Sequence, residues 1–299
     1  MELRHIKYFL AVAEEQNITK ASEKICISQP PLSRALMDLE YELDCKLFLR
    51  GKRRITLTEE GLALKRRGEQ LLALAEMTKS EITEIKNGIS GTLYLGHVDS
   101  NGPSLAAKWI SSFIKEYPNV TYNLWCGNVD DLTDRMKSGL IDLAITMTPM
   151  NTELLTGIKV YSENWVALIP PNHKLAQSKK KSVSIEELLD NDLIISSRKS
   201  REEEIRTYFK STSKDKEPHF VVKTNHSSNA AKLVEQDIGI ALFPASVAKN
   251  VTLGSEVVIK KITPEKTVEY NLSWIKEKSP SLLAQKFVQH VQELMGEEE

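Results

Sequence analysis

The sequence predicts a multi-domain chain: a mainly α N-terminal winged helix-turn-helix, a long linker helix, and a C-terminal α/β domain. Three observations predict it. The first stretch shows apolar residues at helical spacing, broken at short intervals and closed by a basic, strand-like segment. A long run of helical composition follows, without an internal proline. The remainder alternates short apolar runs with helical patterns, the mark of α/β architecture with largely parallel strands. At 299 residues, with 41% apolar and 27% charged side chains, the chain is long enough for two folded units and a connector.

Ile6, Phe9, Leu10 and Ala13 recur at helical spacing, so residues 3 to 15 make the first helix. Asn17-Ile18-Thr19 starts the second, with Thr19 as N-cap and Glu23 beside the positive end of the dipole; it runs to about Ile25. Ser28 caps the third, and Pro30-Pro31 fall in a first turn whose N–H groups have no intrahelical partner to lose. Leu32, Ala35, Leu36, Leu39 and Leu43 form its inward stripe. Gln29, Pro30, Ser33, Arg34 and Met37 lie opposite. Arginine pairs bidentately with guanine and glutamine with adenine, and a helix N-terminus can approach phosphate, so this side suits a major groove. A three-helix bundle whose polar face meets water has the same spacing.

Lys46–Arg50 and Ile55–Thr58 make two short strands, with Leu47, Phe48 and Leu57 as inward anchors. Their tip carries Arg50, Lys52, Arg53 and Arg54. Net charge is −1 overall, but residues 1–67 carry +3 and the rest −4. A local basic cluster matters more to a phosphate backbone than the average, although such a run alone fits a solvated turn equally well.

The segment ITKASEKICISQPPLSRALMDLEYELDCKLFLRGKRRITLTEEG resembles the signature of LysR-type transcriptional regulators in order, spacing and residue type. Ala21, Ser28-Gln29-Pro30, Leu32-Ser33, Leu39-Glu40, Leu43, Leu47-Phe48, Arg50, Leu57-Thr58 and Gly61 carry the match. The resemblance implies that Gln29, Pro30, Ser33 and Arg34 face bases and nearby phosphates and that Arg50 to Arg54 form the wing. The candidate DNA-binding set is Lys20, Ser28, Gln29, Pro30, Ser33, Arg34, Arg50, Lys52, Arg53 and Arg54. Two positions depart from the pattern: Ile18 stands where the family usually has Phe, and Asp44 where it commonly has Gly after the recognition helix, which implies a less relaxed helix end.

Thr58-Glu59-Glu60 starts a helix that continues to Asn87-Gly88, a rod of roughly 45 Å at ~1.5 Å per residue. Leu71, Ala75, Thr78, Ile82, Ile85 and Ile89 alternate by four and three, a coiled-coil seam; a helix lying on its own domain is the alternative. Leu71, Ala75, Ile82 and Ile85 are the candidate dimerisation residues. Paired protomers would present two recognition helices to a pseudo-palindromic double-stranded DNA site. In the family this helix does pair protomers.

Beyond residue 90, strands are expected at Thr92–Val98, Val120–Trp125, Ile141–Thr146, Trp165–Ile169, Leu193–Ile195, Phe220–Lys223, Gly239–Phe243 and Tyr270–Ile275. GLIDLAIT (139–146), Pro170-Pro171-Asn172-His173 and GIALFP (239–244) resemble the LysR co-inducer domain, with Lys174 standing where the family often has Pro. That resemblance implies a two-lobed, periplasmic-binding-protein-like fold in which the chain crosses near residue 161 and returns near 267. The expected division is 1–58 for the DNA-binding domain, 59–89 for the linker and 90–299 for the regulatory domain. Lobe I would hold about 90–160 and 267–299, and lobe II about 161–266. Ligands in open α/β sheets sit beyond the carboxyl ends of strands, and the strand ends here are rich in hydroxyls and amides. Ser100, Asn101, Asn128, Thr146, Ser197, Asn225 and Phe243 are the candidate effector-binding residues. Asp99 contributes negative charge there, and Arg198 and Lys199 positive charge, which leaves the sign of the ligand open.

The expected function is allosteric control of promoter binding by a small-molecule effector in a homodimer or homotetramer, with RNA polymerase as a further partner if the output is activation. No cofactor or metal is expected. The three cysteines, Cys26, Cys45 and Cys126, lack CxxC spacing, and the six histidines are scattered, His219 and His226 being weak metal candidates. An enzyme is disfavoured by the absence of G-x-S-x-G, H-E-x-x-H, P-loop and Rossmann glycine motifs. A solute-binding protein is disfavoured by an N-terminus without signal-peptide layout, so the chain is expected in the cytoplasm, at the nucleoid when DNA-bound. No apolar run is long enough to span a membrane.

Overall fold

Helical spacing over the first forty residues resolves into α1 (Leu3–Glu15), α2 (Ile18–Lys24) and α3 (Gln29–Glu42), followed by β1 (Phe48–Arg50), β2 (Ile55–Leu57) and α4 (Glu59–Asn87). This computed structural model describes residues 1–50, 55–87, 89–212, 216–250 and 257–296, with the side chains of residues 50, 80, 81 and 83–87 outside the description. The chain divides into two compact units, Met1–Thr83 and Glu84–Glu299. Among the described residues no helix is long and apolar enough to cross a membrane.

In the first unit, Phe9, Val12, Ala21, Leu32, Leu36, Leu39 and Leu47 form one core, and the Phe9 and Phe48 rings meet at 5.1 Å. Two sequence expectations need correction. Asn17, not Thr19, caps α2: its Oδ1 accepts from the N–H groups of Thr19 (2.8 Å) and Lys20 (3.1 Å), because the helix begins at Ile18 and Thr19 already lies inside its first turn. Leu43 is the C-cap of α3 and remains 39% exposed, so the inward stripe stops at Leu39. Ser28 holds the N-cap position of α3 in extended backbone, without a side-chain cap bond.

Asp44 follows with φ of 49°, the left-handed conformation that glycine adopts freely and an L-residue only at a cost. That explains why a departure from Gly here matters to the helix end. Thr58 locks the start of α4, its hydroxyl accepting from Gly61 N–H at 2.9 Å and donating to the Lys46 carbonyl at 2.7 Å. A Cβ on Gly61 would lie 2.2 Å from the Leu47 carbonyl oxygen, so the first turn of α4 packs directly on the backbone just before β1.

In the second unit the order is β3 (Gly91–His97), α5 (Gly102–Glu116), β4 (Val120–Cys126), α6 (Val129–Lys137), β5 (Leu143–Met147), β6 (Leu155–Ile169), α7 (Lys174–Gln177), β7 (Ser182–Ser184), α8 (Ile185–Leu189), β8 (Asp192–Ser196), α9 (Lys199–Lys210), β9 (His219–Thr224), α10 (Ser227–Glu235), β10 (Ile240–Pro244), α11 (Val247–Asn250), β11 (Val258–Thr263), β12 (Thr267–Ile275) and α12 (Leu282–Gly296). Strands run β4-β3-β5-β12-β6-β10-β8-β9, with β11 on β6 and β7 on β11. The parallel trios β4-β3-β5 and β9-β8-β10 are the cores of lobes I and II.

The chain passes from one set of strands to the other within β6. β6 is a single fifteen-residue strand whose first part, Leu155 to Asn164, pairs antiparallel with β12, and whose last part pairs with β10 and β11 from Trp165 onward. The first part escaped sequence reading because Gly157, Lys159, Tyr161 and Ser162 face solvent between half-buried Ile158 and Val160, which leaves no strong apolar signal. β7 and β11 were missed for the same reason: Lys260 is buried where an apolar residue would mark a strand, its ammonium donating to the Ser178 carbonyl at 2.7 Å. β12, which carries the chain back, begins at Thr267.

Candidate nucleic-acid interface and interlobe cleft

Burial of Leu32, Ala35, Leu36 and Leu39 forces the opposite side of α3 outward. Ser28, Gln29, Pro30 and Arg34 are exposed there, Ser33 is half-buried, and Lys20 is exposed on α2. The Gln29 side-chain amide donates to the Thr19 hydroxyl, which ties the start of α3 to α2. Arg34 makes no hydrogen bond or ion pair with any described residue, so its guanidinium has all its donors to offer.

Glu40, on the inner flank of α3, holds the hairpin: its carboxylate accepts from Leu47 N–H (2.8 Å), Phe48 N–H (3.4 Å) and the Lys46 ammonium (2.8 Å). Burial works to raise its pKa, but the Lys46 charge and the two amides outweigh it and hold the carboxyl below the ordinary range. The hairpin register is Phe48↔Leu57, Leu49↔Thr56 and Arg50↔Ile55. Lys52, Arg53 and Arg54 lie outside the described residues, as does the Arg50 side chain.

Along α4, Leu71 and Ile82 are 37% and 52% exposed and Ala75 is half-buried; the Ile85 side chain lies outside the description. The helix packs on α1 at Gly68, where a Cβ would meet Ile6 Cγ2 at 2.8 Å.

In the second unit a narrow cleft, with a cavity volume of about 30 Å³, lies at the carboxyl ends of the strands of both lobes. Of the seven effector candidates, Ser100, Asn128, Asn225 and Phe243 line it, beside Val98, Asp99, Val129, Met147, Trp165, Ser196, Arg198 and Arg201. Asn101, Thr146 and Ser197 do not. Thr146 is fully buried with its hydroxyl on Ser273 Oγ at 2.8 Å, because strand alternation turns Met147 to the cleft instead. Asn101 stands at the N-cap position of α5 without a side-chain cap bond. Ser197 is exposed, its N–H bonded to the Thr224 carbonyl at 2.9 Å, and Ser196 takes the lining position.

The lining groups are engaged with one another. The Asn128 side-chain oxygen caps α6 through Asp130 and Asp131 N–H at 2.9 and 3.0 Å. Ser100, 1% exposed, bonds Tyr270 Oη at 2.7 Å; that phenol donates to Glu163 at 2.6 Å, and Glu163 also accepts from the Ser246 hydroxyl at 2.7 Å. Burial and the Glu163 charge push the Tyr270 phenol well above its ordinary value, so it stays a donor at neutral pH.

Contacts also cross the cleft. Asp99 of lobe I accepts from Ser227 N–H of α10 at 2.6 Å, the cap that His226 does not supply itself. Asn250 of lobe II donates to the Ser100 carbonyl at 2.7 Å. Arg198 grips the Asp130 carboxylate, with Nε 3.0 Å from both oxygens. Arg201 donates to the Thr148 carbonyl and to Glu204.

Sequence reading missed Arg201, Trp165 and the Glu163–Tyr270 pair. A signal existed for Arg201: it shares its i, i+4, i+8 stripe with buried Ile205 and Phe209, where a charged side chain is out of place. None existed for Glu163 and Tyr270, which meet only through the β6–β12 ladder, a pairing of distant segments.

Residues 3–62 match the family model described as "Bacterial regulatory helix-turn-helix protein, lysR family", and residues 86–296 match "LysR substrate binding domain". The chain is 31% identical over 248 residues to the HTH-type transcriptional regulator BenM of Acinetobacter baylyi, across 82% of this chain and 81% of that protein. It is 28% identical over 292 residues to the uncharacterized HTH-type transcriptional regulator YybE of Bacillus subtilis, across 97% and 98%. In fold it resembles full-length CbnR bound to its target DNA, with a TM-score of 0.78 at 23% identity, across 98% of this chain and 99% of that one. With a helix-turn-helix carrying an exposed polar recognition side and a two-lobed domain enclosing a cleft, both matched over nearly their full length, the chain belongs to the LysR family of transcriptional regulators.

Proposed function

We propose that this regulator holds a pseudo-palindromic promoter site as a homodimer or homotetramer, and that a small molecule in the interlobe cleft changes that hold. Residues 1–58 act as the DNA-binding domain, 59–89 as the pairing helix and 90–299 as the sensor. The observation that carries the DNA reading is the outward N-terminal side of α3, with Gln29 and Arg34 exposed and Arg34 without a protein partner among the described residues. Arg34 reads a base edge, Ser28, Ser33 and Lys20 contact nearby phosphates, and the wing residues Arg50, Lys52, Arg53 and Arg54 follow the backbone. The apolar stripe through Leu71, Ala75, Ile82 and Ile85 pairs protomers, since Leu71 and Ile82 are otherwise left to water.

In the cleft, Ser100, Asn128, Asn225 and Phe243 are the effector contacts retained from the sequence. Asn101, Thr146 and Ser197, which do not line it, are not. A ligand that binds one lobe arrangement better than another shifts the population between them and, by linkage, the affinity for DNA.

A gel shift on the DNA upstream of the chain's own gene tests the reading. Arg34→Ala is expected to lower specific affinity about 10- to 100-fold while leaving the protein folded, as for loss of a bidentate base contact. Arg53→Ala with Arg54→Ala is expected to weaken binding to all sequences alike and to reduce the salt slope by roughly two. An Arg34→Ala protein that footprints its site normally overturns the assignment.

A further inference from the structure

The outward line of α3 carries one more side chain than the DNA-binding candidates account for. A helix lying in a major groove addresses bases with side chains at i, i+3, i+4 and i+7, which share one face. Counted from Pro30, those positions are Ser33, Arg34 and Met37. Burial of Leu32, Leu36 and Leu39 on the other side turns this row outward, and Met37 is 59% exposed. An exposed methionine by itself means little on a protein surface. Its position and its neighbours narrow what this one can do.

Met37 has no berth inside the domain. The cavity at its foot, lined also by Ile18, Phe48 and Ile55, has a volume of about 20 Å³, room for one water and not for a thioether. The helix around it is not one that follows phosphates either. From Ala35 to Cys45 the sequence holds no Lys or Arg, but it holds the acids Asp38, Glu40, Glu42 and Asp44. Glu40 is engaged by Lys46 and Glu42 by the N-terminal ammonium, while Asp38 and Asp44 are exposed. Beyond Arg34, then, α3 offers a duplex no positive charge, and a favourable contact there must be with an uncharged group. Among the groups that base pairs present in the major groove, the large apolar one is the thymine C5-methyl. The unbranched, polarisable methionine side chain adapts well to such a surface.

Resting on the reading of α3 as the groove helix, we propose that Met37 is a specificity-determining residue whose thioether packs on a thymine methyl. It lies about 4.5 Å along the axis from Arg34, one or two base-pair steps of ~3.4 Å. Each half-site therefore carries a T·A pair one or two steps from the pair that Arg34 reads, repeated by the two-fold symmetry of the bound dimer.

The test uses the full-length protein, the DNA upstream of its gene and the tightest duplexes selected from a randomised pool. Each thymine of the half-site is replaced singly by deoxyuridine, which removes the methyl and keeps the pairing groups. At one position per half-site the replacement is expected to weaken the wild type about 3- to 10-fold, the range for one or two CH₂-sized groups returned to water. Met37→Ala is expected to lose a similar factor on the thymine duplex and to bind the thymine and deoxyuridine duplexes alike. Met37→Leu, apolar and close in volume, is expected to keep the methyl dependence, as is Tyr41→Ala, which alters an 89% exposed ring further along the same side. Wild-type indifference to every replacement, or the absence of any position whose dependence vanishes in Met37→Ala, overturns the proposal. Arg34→Ala separates the two levels of inference. If it loses specific binding while no methyl dependence traces to Met37, the groove reading stands and the Met37 assignment alone fails. If it footprints normally, the groove reading itself fails.

Discussion

The recognition helix and the interlobe cleft are built in opposite ways. The candidate base-reading groups fall within six consecutive residues, Gln29 to Arg34, held outward by a buried stripe on the same helix. The cleft draws its lining from the ends of six strands and one edge of β6, and its polar groups mostly satisfy one another until a ligand competes. The first arrangement suits a partner that is large and polyanionic and brings its own shape. The second suits a small molecule whose binding must cost some protein contacts, which is what couples it to a change of lobe arrangement.

Removing a pre-formed contact should therefore hurt more in the cleft than at the helix surface. The largest stability effect is expected for Tyr270→Phe, which strips Ser100 of its buried partner and Glu163 of one donor; a loss of about 1–3 kcal/mol in denaturant unfolding is expected for such orphaned groups. A neutral outcome would show that the cleft network is not preorganised. Glu40→Gln tests the hairpin from the other side. The native carboxyl is depressed, so its contribution is fully present above the unfolded value near ~4.3 and lost as pH falls through the lower folded value. The wild type is expected to exceed the Gln variant by about 1.5 kcal/mol at neutral pH, with the gap closing in acid. A pH-independent gap would contradict this. The smallest effect has the opposite sign: Asp44→Gly relieves a left-handed aspartate and is expected to raise the melting temperature of the first unit, by about 0.5–1 kcal/mol of stability. A destabilised Asp44→Gly protein would mean that the Asp side chain has a role there.

The same contrast decided what could be read beforehand. α1 and α3 were legible because each is an amphipathic segment whose period and caps are local. The two-lobed plan was legible in its parallel strands, which are near-continuous apolar runs such as Ile240–Pro244. The first ten residues of β6 were not, since neither face is deeply buried. In the cleft, residue type at strand ends picked out Ser100, Asn128, Asn225 and Phe243, but a one-residue choice between Thr146 and Met147, or Ser197 and Ser196, depends on strand alternation that sequence alone places only to within a residue or two. Trp165 was legible as a strand residue but not as a donor lacking an acceptor, because that is a property of its neighbours.

The continuity of β6 has a mechanical consequence. Asn164 is laddered to Thr267 of one lobe while Trp165, the next residue, faces Pro244 of the other, and the Trp165 amide is itself bound to Lys266 at 2.8 Å. No slack residue separates the two sheets on this strand, so the lobes are joined here as sections of one ribbon and not by a free swivel. Any rotation between them must be taken up by the φ and ψ angles at Asn164 and Trp165, within a strand whose neighbours on both sides are already laddered.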